Sequence, residues 1–289
     1  MSMVQTQSGG SGSWRLVRAF NTNKTSWIGL GLFAAIALMA VAAPLLSTHD
    51  PIDQNIVDRL AGPSAEHWFG TDFYGRDTYS RLLWGARVSL VIGIASVALA
   101  MVIGGAIGIV SGYIGGAFDL VVMRVMDVLL SFPTLIMGLM VVAMLGPSMT
   151  NLVLAIALTA IAPFARIARA PTIALKQREF IEAGRALGYS DGRIMLVHIL
   201  PNVTGDIAVM GSLWLATAIR VEASLSFIGL GIKPPTPTWG GMIREGFESI
   251  LETPWLSVFP GLAIMLLVLS LNLIGDGLRD AIDPKLKTD

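Results

Sequence analysis

The sequence predicts an all-α protein that crosses a membrane several times. Hydrophobic residues make up 54% of the 289 residues and charged residues only 14%, against about 25% charged residues in soluble proteins. Three stretches contain no Asp, Glu, Lys or Arg, and each exceeds the ~20 residues with which a helix crosses the hydrocarbon core. They are residues 88–118, 128–165 and 253–275. An ordinary soluble enzyme is therefore excluded.

The first 26 residues predict a flexible cytoplasmic tail. Residues 5–13 consist of Gln, Thr, Ser and Gly alone, a composition that buries too little apolar surface to order itself. The apolar run 27–46 predicts the first transmembrane helix, and we expect a retained anchor because a small-residue cleavage site is lacking. Residues 47–87 are polar and predict an external loop.

The two longest uncharged stretches predict spans two, three and four. Stretch 88–118 holds one span, which should end near Gly112, where glycines cluster. Stretch 128–165 is long enough for two spans, and the segment 145–151 between them contains Gly, Pro, Ser and Asn, which favour a turn. We therefore expect a tight hairpin of spans three and four, and a final span at about 255–274.

One segment is too short to classify by length. Residues 207–219 are uncharged but number only 13, which fits a buried or re-entrant helix as well as a span. The positive-inside rule assigns 13 Lys and Arg residues to the cytoplasm and 7 to the outside, whether five or six spans are assumed. Charge therefore predicts a cytoplasmic N-terminus and leaves the number of spans open.

Residues 166–201, called the basic loop, contain six Lys and Arg residues. Segment 178–187 has helix-forming composition, and Gly188 is suited to end that helix. Ser190 is suited to cap a second helix that runs to residue 200, while Pro201 prevents simple continuation. The loop therefore predicts a cytoplasmic helix–turn–helix that is able to transmit motion to a partner protein.

A second interpretation gives the basic loop no partner. Glu182 is spaced to pair with Arg178 or Arg185 along an exposed helix, which contributes only about 0.2–0.5 kcal/mol. The remaining positive charge would then be only the positive-inside signal. Composition alone favours this interpretation.

Several residues of the basic loop have a characteristic spacing. They are Glu182, Ala183, Gly188, Leu200 and Pro201. Together they resemble the EAA loop of ABC importer permeases. Gly184 replaces the usual second alanine of that motif, and His198 stands where isoleucine is common.

Further blocks resemble the dipeptide/oligopeptide/nickel permease subfamily. They are GTDFYGRD at 70–77, Ser80-Arg81, Gly85, Arg87 to Leu90, EASLSFIGLG at 222–231, PPTPTWGG at 234–241 and NLIGDGLRDAIDP at 272–284. With the basic loop they extend the resemblance over nearly everything from about Arg15 onward. Ordered blocks of this kind are more specific than the EAA match alone.

The resemblance implies a polytopic, all-α permease of the MetI-like type with six transmembrane helices and both termini cytoplasmic. Residues 88–289 would form a permease core of five transmembrane helices, including the coupling loop 166–201. Glu182, Ala183, Gly184 and Gly188 would dock in a groove of an ATPase, and Pro201, after Leu200, would open span five. The implied partners are a second homologous permease, two ATP-binding cassette ATPases and an external substrate-binding protein, at the cell inner membrane.

The sequence lacks its own catalytic equipment. No G-x-x-x-x-G-K-[ST] phosphate loop occurs, so ATP should be bound by partner subunits and no cofactor by this chain. There is no cysteine, and the three histidines show no spaced ligand motif, which predicts no metal site. The net charge of zero gives no sign of nucleic-acid binding.

Three further residues are candidates for a gate or translocation pathway. Arg124 and Asp127 are three positions apart, so they share a helical face and are able to neutralise each other. They fit a gate, and equally an anchoring pair near the cytoplasmic end of span three. Pro133 should break span three, and broken helices line pathways in some transporters but are also simple kinks.

The most favoured function is import of di- or oligopeptides, by the subfamily resemblance. Nickel chelates, opines and oligosaccharides are alternative cargoes. A secondary transporter would need inverted repeats and buried ionisable relays, and a membrane enzyme would need a catalytic cluster; the sequence shows neither. A membrane adaptor that does not transport is the remaining alternative.

Overall fold

The computed structural model describes residues 24–282. The regular secondary structure of this part is helical, apart from one isolated antiparallel bridge between Thr71 and Asp77. Its longer helices are α1 (Lys24–Val41), α2 (Thr78–Ile114), α3 (Gly116–Ser131), α4 (Thr134–Leu145), α5 (Met149–Lys176), α6 (Glu179–Ala186), α7 (Asp191–Ile228), α8 (Trp239–Phe247) and α9 (Trp255–Ile282). Residues 1–23 of the predicted tail 1–26 lie outside the described residues. Residues 24–26 belong to α1.

The helices suit a membrane protein with several spans. Within residues 24–282, α1, α2, α5, α7 and α9 are each long and apolar enough to cross a membrane. The pair α3 and α4 qualifies as a sixth candidate when it is counted as one bent span. The prediction of an all-helical polytopic protein is thereby confirmed.

The third span is broken at Pro133, as the sequence predicts. Helix α3 ends at Ser131, and α4 continues at an angle of 91°. The break follows from Pro133, which disfavours helical dihedral angles in the preceding residue; Phe132 accordingly has the extended values φ −85° and ψ 132°. Because α4 has 12 residues and a rise of about 1.5 Å per residue, it is too short to cross the bilayer alone.

The turn between α4 and α5 agrees with the predicted hairpin. Gly146 has φ +86°, and the Ser148 hydroxyl accepts a hydrogen bond from the Asn151 amide at 3.1 Å. The Asn151 side chain donates in turn to the carbonyl oxygens of Leu145 and Gly146, both at 2.9 Å. These bonds satisfy backbone groups that the helix ends would otherwise leave open.

Pro201 does not end the short helix before it, contrary to the expectation that the proline prevents simple continuation. Helix α7 has 38 residues and passes through a π-helical segment, Ile194–Ile199, immediately before the proline. The Leu200 amide donates to Met195 five positions back, and this wider turn accommodates a ring that would clash in a regular helix. The 13 uncharged residues 207–219 are the middle of this long helix.

Two other prolines also remain inside helices. Pro163 lies within α5 and Pro260 within α9. Pro133, in contrast, lies between the end of α3 and the start of α4.

Helices α2 and α5 pack along much of their length. Their backbones approach closely at two glycines of α2: a Cβ atom at Gly104 would lie 2.5 Å from the Ile161 carbonyl oxygen, and one at Gly108 would lie 2.2 Å from that of Ala165. Such distances exclude any side chain. The two glycines therefore allow α2 and α5 to pack closely.

Candidate functional site

Helix α6 of the basic loop lies between the end of α5 and the beginning of α7. It spans residues 179–186, within the predicted segment 178–187. The long helices on either side reach further into the basic loop, since α5 extends to Lys176 and α7 begins at Asp191. Ile181 and Gly184 face inward, and Ile181 joins the hydrophobic core with Ile194 of the π-helical segment. Glu182 and Ala183 face outward. The helix therefore has one packed and one free face within the described chain.

Gly188 ends α6 in the way the sequence predicts. Its φ of +81° lies in the left-handed region, which residues other than glycine rarely adopt. The Gly188 amide donates to Arg185 at 2.9 Å, and the Tyr189 amide donates to Gly184 at 3.0 Å. This pair of bonds defines a Schellman cap, so the turn depends on a glycine at this position.

Tyr189 fills the space that Gly184 leaves. A Cβ atom at Gly184 would lie 3.1 Å from the Tyr189 ring. Two further side chains contact the Tyr189 ring. The His198 ring stacks parallel to it with 5.8 Å between the ring centroids, and the Arg193 guanidinium lies 4.3 Å from the Tyr189 centroid. The two departures from the EAA pattern, Gly184 and His198, thus contact the same aromatic ring.

We expect Gly184→Ala to retain most transport and Gly184→Val to lose it. Alanine requires the Tyr189 ring to shift by only a few tenths of an ångström, whereas valine adds two branched methyl groups against that ring. The measurement is ATP-driven uptake at matched membrane abundance. Equal activity of both variants would contradict the packing of Tyr189 on Gly184.

Tyr113, at the end of α2, connects the transmembrane helices to the basic loop. Its hydroxyl donates to the Asp191 carboxylate at the start of α7. The Arg185 guanidinium of α6 lies 5.3 Å from the ring centroid, and the Lys176 ammonium of α5 lies 5.6 Å from it. The Tyr113 side chain raises the pKa of the Arg185 guanidinium. The sequence carries no motif that marks Tyr113 as a functional residue.

The remaining predicted coupling residues lie apart from α6. Leu200 is half-buried and Pro201 exposed, both just beyond the π-helical segment that packs on α6. The expected pairing of Glu182 is not formed: among residues 24–282, the ion pairs shorter than 4.0 Å do not include its carboxylate. Glu182 is therefore available on the free face.

The candidate gate residues form a weaker pair than expected. Arg124 lies 3.8 Å from Asp127, and its side chain is 78% exposed. Asp127 binds more closely to Arg166 of α5. Asp119 of α3 and Arg169 of α5 form a tighter, bidentate ion pair, with hydrogen bonds of 2.6 Å and 2.5 Å. The sequence does not predict this pair. Pro133 lies at the bend that follows α3.

A buried glutamate joins α7 to α2. Glu222 is 0% exposed, and its carboxyl oxygens accept hydrogen bonds from Ser89 at 3.0 Å and Ser226 at 2.8 Å. Buried polar groups require such partners. Because Ser89 lies 133 positions away along the chain, the sequence could not predict the contact.

Four charged side chains join the predicted external loop to α8. This ion-pair cluster comprises Asp72, Arg76, Arg81 and Glu245. Arg76 lies 2.7 Å from both carboxylates, and Arg81 lies 3.3 Å from Asp72 and 2.9 Å from Glu245. The Arg76 side chain is only 2% exposed, so these charges are compensated within the protein, as buried charges must be.

A cleft of about 680 Å³ adjoins the ion-pair cluster. The segment between α7 and α8 and the loop before α2 contribute its walls, and charges of both signs lie along it. The charged residues beyond the cluster are Lys233, Arg244 and Glu248.

Comparison with protein families gives two matches. Residues 104–288 match the model described as "Binding-protein-dependent transport system inner membrane component". Residues 12–63 match the "N-terminal TM domain of oligopeptide transport permease C". The first match covers more than half of the chain.

Curated relatives and solved structures resemble the chain over most of its length. A dipeptide transport system permease protein, DppC of Alkalihalophilus pseudofirmus, is 43% identical over 95% of this chain and 91% of its own. A glutathione transport system permease protein, GsiD of Pectobacterium atrosepticum, is 45% identical over 90% and 87%. A chain from inward-facing structures of the MetNI methionine ABC transporter has a TM-score of 0.56 at 17% identity, over 70% of this chain and 97% of that one, which shows a similar fold.

Proposed function

This chain belongs to the binding-protein-dependent transport system inner membrane components, and on that premise we propose that it is a permease subunit of an ATP-driven importer of di- or oligopeptides. It is a multi-pass protein of the inner membrane. Permeases of this type work with an ATPase and a binding protein, and this chain has no phosphate loop of its own. The energy therefore comes from another polypeptide.

The observation that carries the proposal is the free face of α6. Phe180 is 48% exposed and Leu187 is 74% exposed, and exposed Ala183 lies between them at helical spacing. An apolar stripe of this kind fits a groove in a partner protein. The negative charge of Glu182, beside the stripe, would orient the helix in that groove.

The contacts behind α6 support its role as a coupling element. Through Tyr113, α6 is connected to the end of α2, and through Ile181 to the π-helical start of α7. A displacement of α6 by the ATPase would therefore move helices that line the membrane domain. We infer alternating access, in which ATP-driven closure of two ATPases rocks this chain against a second homologous permease.

The membrane topology completes the proposal. We propose six spans, with α3 and α4 together forming the third, and with both termini in the cytoplasm. The basic loop then faces the ATPases, while the ion-pair cluster and its cleft face the external binding protein.

The proposed cargo rests on the relatives and on the cleft. Dipeptides and glutathione, which the two named relatives transport, are both short peptides with charges of opposite sign. Lys233, Arg244 and Glu248 along the cleft provide charges that complement both ends of such a molecule. Nickel chelates, opines and oligosaccharides are the alternatives that the subfamily offers.

We expect the chain to import a labelled dipeptide only when an ATPase hydrolyses ATP. The chain is purified with the proteins that accompany it, reconstituted in vesicles containing ATP, and supplied with binding protein and dipeptide on the other side. Uptake should disappear with a non-hydrolysable ATP analogue.

Other outcomes separate the alternatives. Uptake driven by a proton gradient without ATP would indicate a secondary transporter. Preference for a nickel chelate over dipeptide and glutathione would replace the cargo but retain the importer. Absence of any uptake by the assembled complex would favour an adaptor that does not transport.

A further inference from the structure

The loop before α2 brings together ligands that are separated in the sequence. His49 and the adjacent residues Glu66 and His67 each offer one donor atom, and these atoms lie within 4.8 Å of one another. The two imidazole rings are 4.6 Å apart and tilted by 35°. The sequence predicts no metal site, because these residues form no motif with recognised spacing.

We propose that His49, Glu66 and His67 bind a zinc-type divalent transition-metal ion. Two histidines and one glutamate are an established set of protein ligands for zinc. In a tetrahedral site with metal–ligand bonds of about 2.0–2.2 Å, the donor atoms would lie about 3.3 Å apart. The half-exposed His49 and exposed Glu66 have room for the small rotations that this requires.

The second observation is the carboxylate that orients His67. Asp77 Oδ1 lies 3.0 Å from Nδ1 of His67, and the Asp77 side chain is 1% exposed. Histidines that bind metals commonly donate one ring N–H to a carboxylate, which fixes the ring and directs the other nitrogen to the metal. Nδ1 is occupied in this way, so Nε2 of His67 is the nitrogen left for a metal ion.

The supporting bonds hold both ligand segments against the start of α2. Asp77 Oδ2 accepts from the Ser80 amide at 2.8 Å, and the Ser80 hydroxyl accepts from the His49 amide at 3.1 Å. The His67 amide donates to the Ser64 hydroxyl at 3.0 Å. A bound ion would therefore connect the exit of α1 to the entry of α2, with one coordination position left for water.

Zinc binding by the full chain tests the proposal. The chain is purified in detergent with an affinity tag that contains no histidine, stripped with a chelator, incubated with Zn²⁺ and separated from free metal. We expect about one retained Zn²⁺ per chain and a higher unfolding midpoint with zinc. Absence of retained zinc, or retention unchanged in His49→Ala, would overturn the proposal.

Matched variants distinguish a metal site from a hydrogen-bonded brace. His198→Ala should retain the zinc, because His198 is the third histidine of the chain and lies in α7. Glu66→Gln removes an exposed ligand with little risk to folding and should abolish the zinc-dependent rise in midpoint. Asp77→Asn should weaken binding about 10–100-fold. Equal zinc affinity of Glu66→Gln and the unmodified chain would contradict the proposed ligand set.

Discussion

Replacement of Gly188 by tryptophan is expected to abolish ATP-driven uptake while the chain remains in the membrane. The left-handed backbone at this position costs an ordinary residue about 1–2 kcal/mol, a small part of the ~5–15 kcal/mol that stabilises a typical protein. Apart from its chain neighbours, no atom of residues 24–282 lies within 4 Å of the new side chain's Cβ position. The indole would instead project from the surface that is proposed to dock in the ATPase groove, and would block that contact.

The matched control is Gly146→Trp. Gly146 has a similar φ of +86° and likewise has nothing within 4 Å, but it lies in the turn between α4 and α5. Uptake and ATPase stimulation should therefore survive in Gly146→Trp and be lost in Gly188→Trp and in Glu182→Lys. Normal uptake by both α6 variants at normal abundance would refute the coupling role of α6.

Replacement of Arg76 by methionine should markedly destabilise the protein. Methionine keeps most of the apolar stem but leaves two carboxylates with Arg81 as their shared cation. Breaking a buried ion pair in this way costs about 3–5 kcal/mol, which lowers the unfolding midpoint by about 6 °C or more at ~2–4 °C per kcal/mol. Tryptophan fluorescence during heating of the solubilised chain provides the measurement.

Arg124→Met is the control for that experiment. The Arg124 side chain is 78% exposed and lies 3.8 Å from Asp127, so its loss should cost less than about 1 kcal/mol. If Arg76→Met and Arg124→Met lowered the midpoint equally, the ion-pair cluster would not hold the external loop against α8.

Features set by local chemistry could be predicted from the sequence. Gly188 ends α6 because glycine adopts the left-handed backbone conformation of the helix cap without steric cost. Ser148 and Asn151 close the hairpin because their side chains bind nearby backbone groups. The family resemblance added the proposed coupling role of α6, which composition did not favour.

Features that depend on distant pairs could not be predicted. The sequence predicts that Arg124 neutralises Asp127, and the fold keeps this pair but adds a closer contact with Arg166, 39 positions away. The sequence predicts that the helix before Pro201 does not simply continue past it, because the π-helical segment that accommodates the proline leaves no recognisable mark in the sequence. The contact of His49 with His67 likewise requires both ends of a loop to meet at the start of α2.

Cross-linking from a single cysteine on α6 tests the coupling proposal most directly. The chain contains no native cysteine, so Ala183→Cys places one reactive thiol on the free face, and Ala65→Cys places one in the predicted external loop. After cross-linking in intact cells, mass spectrometry should find a phosphate-loop ATPase attached at position 183 and not at 65. Attachment of the ATPase at 65 alone, or at neither position, would contradict the proposal that α6 receives the energy for transport.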